Sequence, residues 1–186
     1  KKFESTVRCC TQNGIRGGSA TVHFPIWHQE IEDIIVLKNN KGTEDNRVRK
    51  LDYSIQISRL FYERFMAAED ISLFSPHDVP ELYDSFGTDA FDELYLKYEK
   101  DTSIPRKTIG GQDLFLDLLK ERAETGRIYI MNIDHCNSHS SFTDKIEMSN
   151  LCQEITLPTK PVQHIDDENG EIALCILSAI NIGKIR

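Results

Sequence analysis

No apolar run in the 186 residues reaches the length of a membrane span. The opening Lys1-Lys2-Phe3-Glu4-Ser5 lacks the apolar core of a secretory signal. Basic charge is in deficit: 22 Lys and Arg face 30 Asp and Glu, for a formal net charge of -8. No nucleic-acid groove and no membrane contact are therefore expected, although a few amides and an Arg can still hold a small anionic nucleotide. Cysteine is sparse and odd in number; Cys9, Cys10, Cys136, Cys152 and Cys175 make no secreted-type framework. Such usage points to a reducing, cytoplasmic setting, where a disulfide is catalytic rather than structural. There is no Gly-Lys-Ser/Thr phosphate loop and no G-x-G-x-x-G. His135, Cys136 and His139 lie close together, but no second ligand pair with structural-zinc spacing accompanies them. No metal site is expected, and the three read better as polar residues at the end of a strand beside an active site. An initiating Met is absent and the apolar run at 173–183 falls at the end, so a piece of a larger enzyme is expected.

What is present reads as α/β, without internal repeats. Residues 20–25 alternate as a strand that stops at Pro25. Residues 27–37 carry apolar positions at helical spacing, as do 51–69, where Ile55, Leu60, Phe61, Phe65 and Met66 predict one long helix. A short strand at 71–74 precedes helices at 77–86, 89–100 and 112–124. Residues 127–134 form a strand. Asn169-Gly170 closes an acidic turn, and 173–183 predicts a strand buried on both faces. Left without neighbours, that last strand would make the piece poorly soluble.

Two stretches carry chemistry. In Ser149-Asn150-Leu151-Cys152-Gln153-Glu154-Ile155, an amide, a thiol and a carboxylate alternate. In an extended backbone, positions i, i+2 and i+4 share one face. Alone, the pattern reads first as a buried Cys on a strand with two polar neighbours. The second stretch, 9–20, is glycine-rich: Gly14, Gly17 and Gly18 permit positive φ and close approach to a ligand, and Arg16 can reach a base or phosphate.

Taken together, these stretches resemble the large catalytic subunit of class I ribonucleotide reductases. The resemblance rests on Gly14-Ile-Arg-Gly-Gly18, Pro25-Ile-Trp-His28, Val36-Leu-Lys-Asn-Asn40, Leu73-Phe-Ser-Pro76, Thr125-Gly-Arg-Ile-Tyr129, Asp134-His-Cys-Asn137, Ser149-Asn-Leu-Cys-Gln-Glu154, Leu157-Pro-Thr-Lys-Pro161 and Glu168-Asn-Gly-Glu-Ile-Ala-Leu-Cys175, in one order. It implies part of a ten-stranded α/β barrel with a central finger loop, here near 149–157. It implies that Cys152 becomes a thiyl radical that takes the 3′-hydrogen of a ribonucleotide. Glu154 would accept the 3′-hydroxyl proton and Asn150 would hold the substrate hydroxyls. Leu151, Gln153 and Leu177 would line the substrate pocket, and Cys175 would be one half of the reducing thiol pair. Residues 9–20 match the specificity loop, with Gln12 and Arg16 on the bases and Gly17 and Gly18 giving it freedom.

The implied partners are a ribonucleoside diphosphate, a small radical-generating subunit that holds the metal, thioredoxin or glutaredoxin as reductant, and a second large subunit. ATP, dATP, dTTP and dGTP would be effectors of the full enzyme, while this chain itself binds no cofactor. Nothing here matches the family's ATP cone, its C-terminal thiol tail, its relay tyrosines or its second redox Cys, so the piece alone is not expected to turn over. The rival expectations are an inactive nucleotide-binding barrel fragment and a split-gene product active only on assembly.

Overall fold

The computed structural model describes residues 1–162, 164–176 and 178–185. In chain order the regular elements are α1 (Lys2–Cys9), β1 (Thr21–Pro25), α2 (Ile31–Ile35), β2 (Asp52–Ile57), α3 (Arg59–Ala67), β3 (Asp70–Leu73), α4 (Pro80–Ser85), α5 (Phe91–Lys100), β4 (Lys107–Gly110), α6 (Gly111–Thr125), β5 (Ile128–Asn132) and α7 (Ile133–Ser138). Single 3-10 turns occur at Glu44–Asn46 and Ile182–Lys184.

β1, β2 and β5 form a parallel sheet with β2 in the middle. All six residues of β2 are buried. Residues 51–69 are thus not one helix. The apolar positions that fit a helical period belong to two elements: Tyr53, Ile55 and Ile57 alternate along β2, whereas Phe61 and Phe65 share the buried face of α3. Met66, expected in the core, is 87% exposed. Ser58 separates the two elements in an extended conformation. α3 stops where Ala68 turns left-handed (φ 56°) and the Glu69 N–H donates to the Arg64 carbonyl at 2.9 Å.

The other strands and helices lie near their expected places. The helix expected over 27–37 shrinks to five residues, α2. β4, which pairs antiparallel with β3, and α1 carry too short a pattern to read from sequence. The strand expected over 173–183 does not form among the described residues. A parallel strand needs a neighbour's amides and carbonyls, and no described residue supplies them. Leu174, Ile176 and Ile180 stand exposed.

The core lies on one face of the sheet. Ile55 and Ile57 pack with Phe61, Leu114 and Leu118. Around them Trp27, Phe61, Phe86, Phe91 and Tyr95 make edge and tilted ring contacts, such as Phe61–Tyr95 at 5.3 Å and Phe86–Phe91 at 4.6 Å between centroids. Tyr95 joins this cluster to β3. Its hydroxyl donates to the Ser72 carbonyl at 2.7 Å and accepts from the Ser72 N–H at 2.9 Å. Tyr95→Phe leaves both backbone groups without that partner in a buried setting. We expect a loss of about 1–3 kcal/mol, read as a lower urea midpoint with an unchanged slope.

Candidate active site

The opposite face of the sheet is polar. Residues in register across a parallel pair project to the same side. Thr21 pairs with Asp52 and His23 with Ser54; Ser54 pairs with Tyr129 and Gln56 with Met131. One face therefore presents Thr21, His23, Asp52, Ser54, Gln56, Tyr129 and Met131. Ser54 is fully buried and Gln56 nearly so. Buried polar groups cost free energy unless hydrogen-bonded, so this face requires a polar cover.

Residues 147–156 provide it. Ser149 bridges antiparallel to Thr156, and the Asn150 N–H donates to the Ile155 carbonyl at 3.1 Å. A tight turn lies between them, with Gln153 at φ 67°, a left-handed conformation unusual outside glycine. The Asn150 Oδ1 seals the turn, accepting from the Ile155 N–H at 3.0 Å and the Ser149 hydroxyl at 3.2 Å. β1 and β2 then grip the turn. Thr21 donates to the Leu151 carbonyl at 2.6 Å. The Gln153 amide donates to the Ser54 hydroxyl, and the Gln56 amide to the Glu147 carbonyl.

This corrects the extended reading of 150–154. Asn150, Cys152 and Glu154 lie in a turn, with Asn150 at its base, not along one face of a strand. The cause is local: the Asn150 side chain replaces a strand partner, and Gln153 reverses the chain. Cys152 and Glu154 are exposed, while Asn150 is partly buried. Asn150 Oδ1 is engaged inside the turn, and its Nδ2 takes no part in closing it.

Burial holds the His23 imidazole below its ordinary pKa, although the neighbouring Ser149 backbone opposes the shift. Neither ring nitrogen reaches hydrogen-bond geometry. His28 is shifted the same way by burial. Burial first, and the neighbouring Cys152 side chain after it, raise the Tyr129 phenol above its ordinary pKa, so it stays protonated at neutral pH.

Beside β5, a cleft of about 400 Å³ is lined by His135, Cys136 and His139 together with Gln153 and Thr156. His135 and Cys136 lie in α7 and His139 caps it, one short helix past the end of β5 and not on the strand itself. Among the described residues, no group of three His, Cys, Asp or Glu is arranged to hold a metal ion. Another cavity, of about 670 Å³, lies beyond the C-terminal ends of β2 and β5, lined in part by Ser58, Asp89, Asp92 and Asp134, and includes no residue of the 147–156 cover.

In the glycine-rich loop, Gln12 and Arg16 bridge each other: the Gln12 N–H donates to the Arg16 carbonyl at 2.8 Å, and the Ile15 N–H to the Gln12 carbonyl at 3.0 Å. Asn13 (φ 51°) and Gly14 (φ 71°) make a turn of the type Asn-Gly favours. Gln12, Arg16 and Gly17 are exposed. Of the three glycines only Gly14 uses positive φ. Gly18 serves close approach: a Cβ there would lie 2.3 Å from the Val7 carbonyl oxygen. Cys175 is an exposed free thiol in a segment without a strand. Leu177 lies outside the described residues. Thr21, His23, Ser54 and Tyr129 were not singled out from sequence; alternation of polar 52, 54 and 56 with apolar 53, 55 and 57 is the signal that marks the face.

The whole chain, residues 1–186, matches the family described as "Ribonucleotide reductase, barrel domain". It is 58% identical over 190 residues to the ribonucleoside-diphosphate reductase subunit alpha of Buchnera aphidicola subsp. Schizaphis graminum, covering 100% of this chain and 25% of that protein. The Haemophilus influenzae subunit alpha is 56% identical over 190 residues, with the same coverage. The Escherichia coli reductase 1 subunit alpha is 55% identical over 167 residues, 87% of this chain and 22% of that protein. The chain thus spans about a quarter of the length of these relatives.

The lowered affinity of His23 for a proton fixes the sign of a pH effect. The unfolded chain binds a proton at His23 near pH 6.5, the folded chain only at lower pH. Stability present above pH ~6.5 is therefore lost as pH falls through that window. Denaturant unfolding at pH 7.5 and 5.5 should show a smaller acid loss in His23→Phe than in the parent chain, with His28 supplying part of what remains.

Proposed function

The chain belongs to the ribonucleotide reductase barrel-domain family, and on that premise we propose that it supplies the hydrogen-abstracting centre of a ribonucleoside-diphosphate reductase large subunit. The observation that carries the reading is the sealed turn on the polar sheet face, whose residues 150–154 include Asn150 at its base and the exposed Cys152 and Glu154. In the full-length protein, a radical generated by a metal-bearing small subunit is passed to Cys152. The Cys152 thiyl removes the 3′-hydrogen of a bound ribonucleoside diphosphate; a new S–H bond forms and the ribose carries the radical.

Glu154, within reach of the 3′-hydroxyl, takes its proton as general base and thereby eases departure of the 2′-hydroxyl. The Asn150 amide orients the sugar hydroxyls. Cys175, paired with a thiol elsewhere in the full-length protein, gives two electrons and becomes a disulfide, which thioredoxin or glutaredoxin reduces by thiol exchange. Gln12 and Arg16 meet the base in response to an effector nucleotide, and the large subunit works as a dimer. The product is a 2′-deoxyribonucleotide for DNA precursor synthesis.

Full-length variants assayed with the small subunit test these roles. Cys152→Ser should abolish deoxyribonucleotide formation, because a hydroxyl does not form a comparable radical; substantial product would refute the assignment. Glu154→Gln should lower kcat by roughly 10²–10⁴-fold, the usual range for a lost general base. Cys175→Ser should still allow hydrogen abstraction but divert it to substrate breakdown, detected as released base.

A further inference from the structure

We propose that Ser54 is a positioning residue for the reaction at Cys152, acting through Gln153, whose backbone sets how Cys152 and Glu154 face one substrate; the proposal rests on the function assigned to Cys152 and Glu154 above. Cys152 lies inside a turn closed by the Gln153 N–H, which donates to the Asn150 carbonyl at 3.3 Å. Gln153 is the single residue between the thiol and the carboxylate, so its backbone dihedrals fix their relative placement. Its φ of 67° is left-handed, a state that a residue with a Cβ rarely adopts. Such a conformation persists only where its surroundings over-determine it, and it recurs at active sites. The anchor here is Ser54, fully buried in the middle strand of the sheet, whose hydroxyl oxygen accepts from the Gln153 side-chain amide. On the other side of the thiol, the Thr21 hydroxyl donates to the Leu151 carbonyl at 2.6 Å. Cys152 is thus bracketed by two hydrogen bonds to adjacent strands. With the Ser54 bond lost, Gln153 is free to relax to negative φ, and Glu154 turns relative to Cys152. Hydrogen abstraction and proton removal from one ribose need both groups in one geometry, and a small misplacement is costly in rate. No covalent bond is made or broken at Ser54 in this role.

The test uses the full-length subunit with its radical-generating partner and a 3′-deuterated ribonucleoside diphosphate. Ser54→Ala removes the acceptor, and Gln153→Met removes the donor at nearly constant shape. Each should lower kcat about tenfold, the scale of one lost hydrogen bond, with KM unchanged and a larger deuterium isotope effect on kcat. Because both act through the same bond, the double variant should lose no more than either single one. Unchanged kcat and isotope effect in both single variants, alongside an inactive Cys152→Ser, would overturn the positioning role and leave the function of Cys152 standing. Activity in Cys152→Ser would overturn both. Losses that multiply in the double variant, or a changed kcat or KM with an unmoved isotope effect, would mark independent packing roles and also count against the proposal. Where Ser54→Ala fails to fold, Gln153→Met answers alone, since it alters a turn residue outside the core: a lower kcat with a raised isotope effect supports the role, and parent behaviour refutes it.

Discussion

The organisation of this chain depends on one constraint, the burial of β2 on both faces. Its apolar side, Tyr53, Ile55 and Ile57, is absorbed by the helices and the aromatic cluster. Its polar side, Asp52, Ser54 and Gln56, is equally removed from water. Polar atoms in that position need partners. Asp52 meets Lys38 at 2.5 Å, Ser54 accepts from Gln153, and Gln56 donates to Glu147. Two of these three partners lie in the segment that forms the turn. The same demand that stabilises the sheet therefore fixes the turn, and the turn carries the thiol.

The arrangement separates the parts that hold from the parts that react. Thr21, Ser54 and Gln56 sit on strands, the most rigid elements available. Cys152 and Glu154 are exposed at the tip, where a substrate can reach them. Between these layers, Asn150 has two tasks. Its carbonyl oxygen closes the turn, and under the proposed function its amide nitrogen serves the substrate. Asn150→Asp would keep the accepting oxygens but lose that donor.

Much of the chain was legible in its sequence. β1 and β5 announce themselves by alternation and by Pro25 and Gly126; α5 and α6 by helical spacing without internal Gly or Pro. The chemistry-bearing residues were also legible, since amide, thiol and carboxylate types stand out at any conformation. Two features were hidden. Ile55, Leu60, Phe61 and Phe65 fit a helical period across a boundary that Ser58 alone marks, so β2 and its polar face were absorbed into a helix. The turn at 150–154 depends on an Asn150 side chain acting in place of backbone and on a left-handed Gln153, neither of which a residue pattern displays. The apolar run at 173–183 shows the opposite failure: its composition favours a strand, but strand formation is settled by hydrogen-bonding neighbours, not by composition.

The central claim is that the polar face of the sheet holds the turn that bears Cys152. Amide hydrogen exchange tests it most directly. The N–H groups of Asn150 and Ile155 should be protected in the parent chain. In the double variant Thr21→Val, Ser54→Ala they should exchange much faster, while Ile55 in β2 stays protected. Unaltered protection at Asn150 and Ile155 in that variant would contradict the account, because the turn would then stand without the sheet that is claimed to seat it.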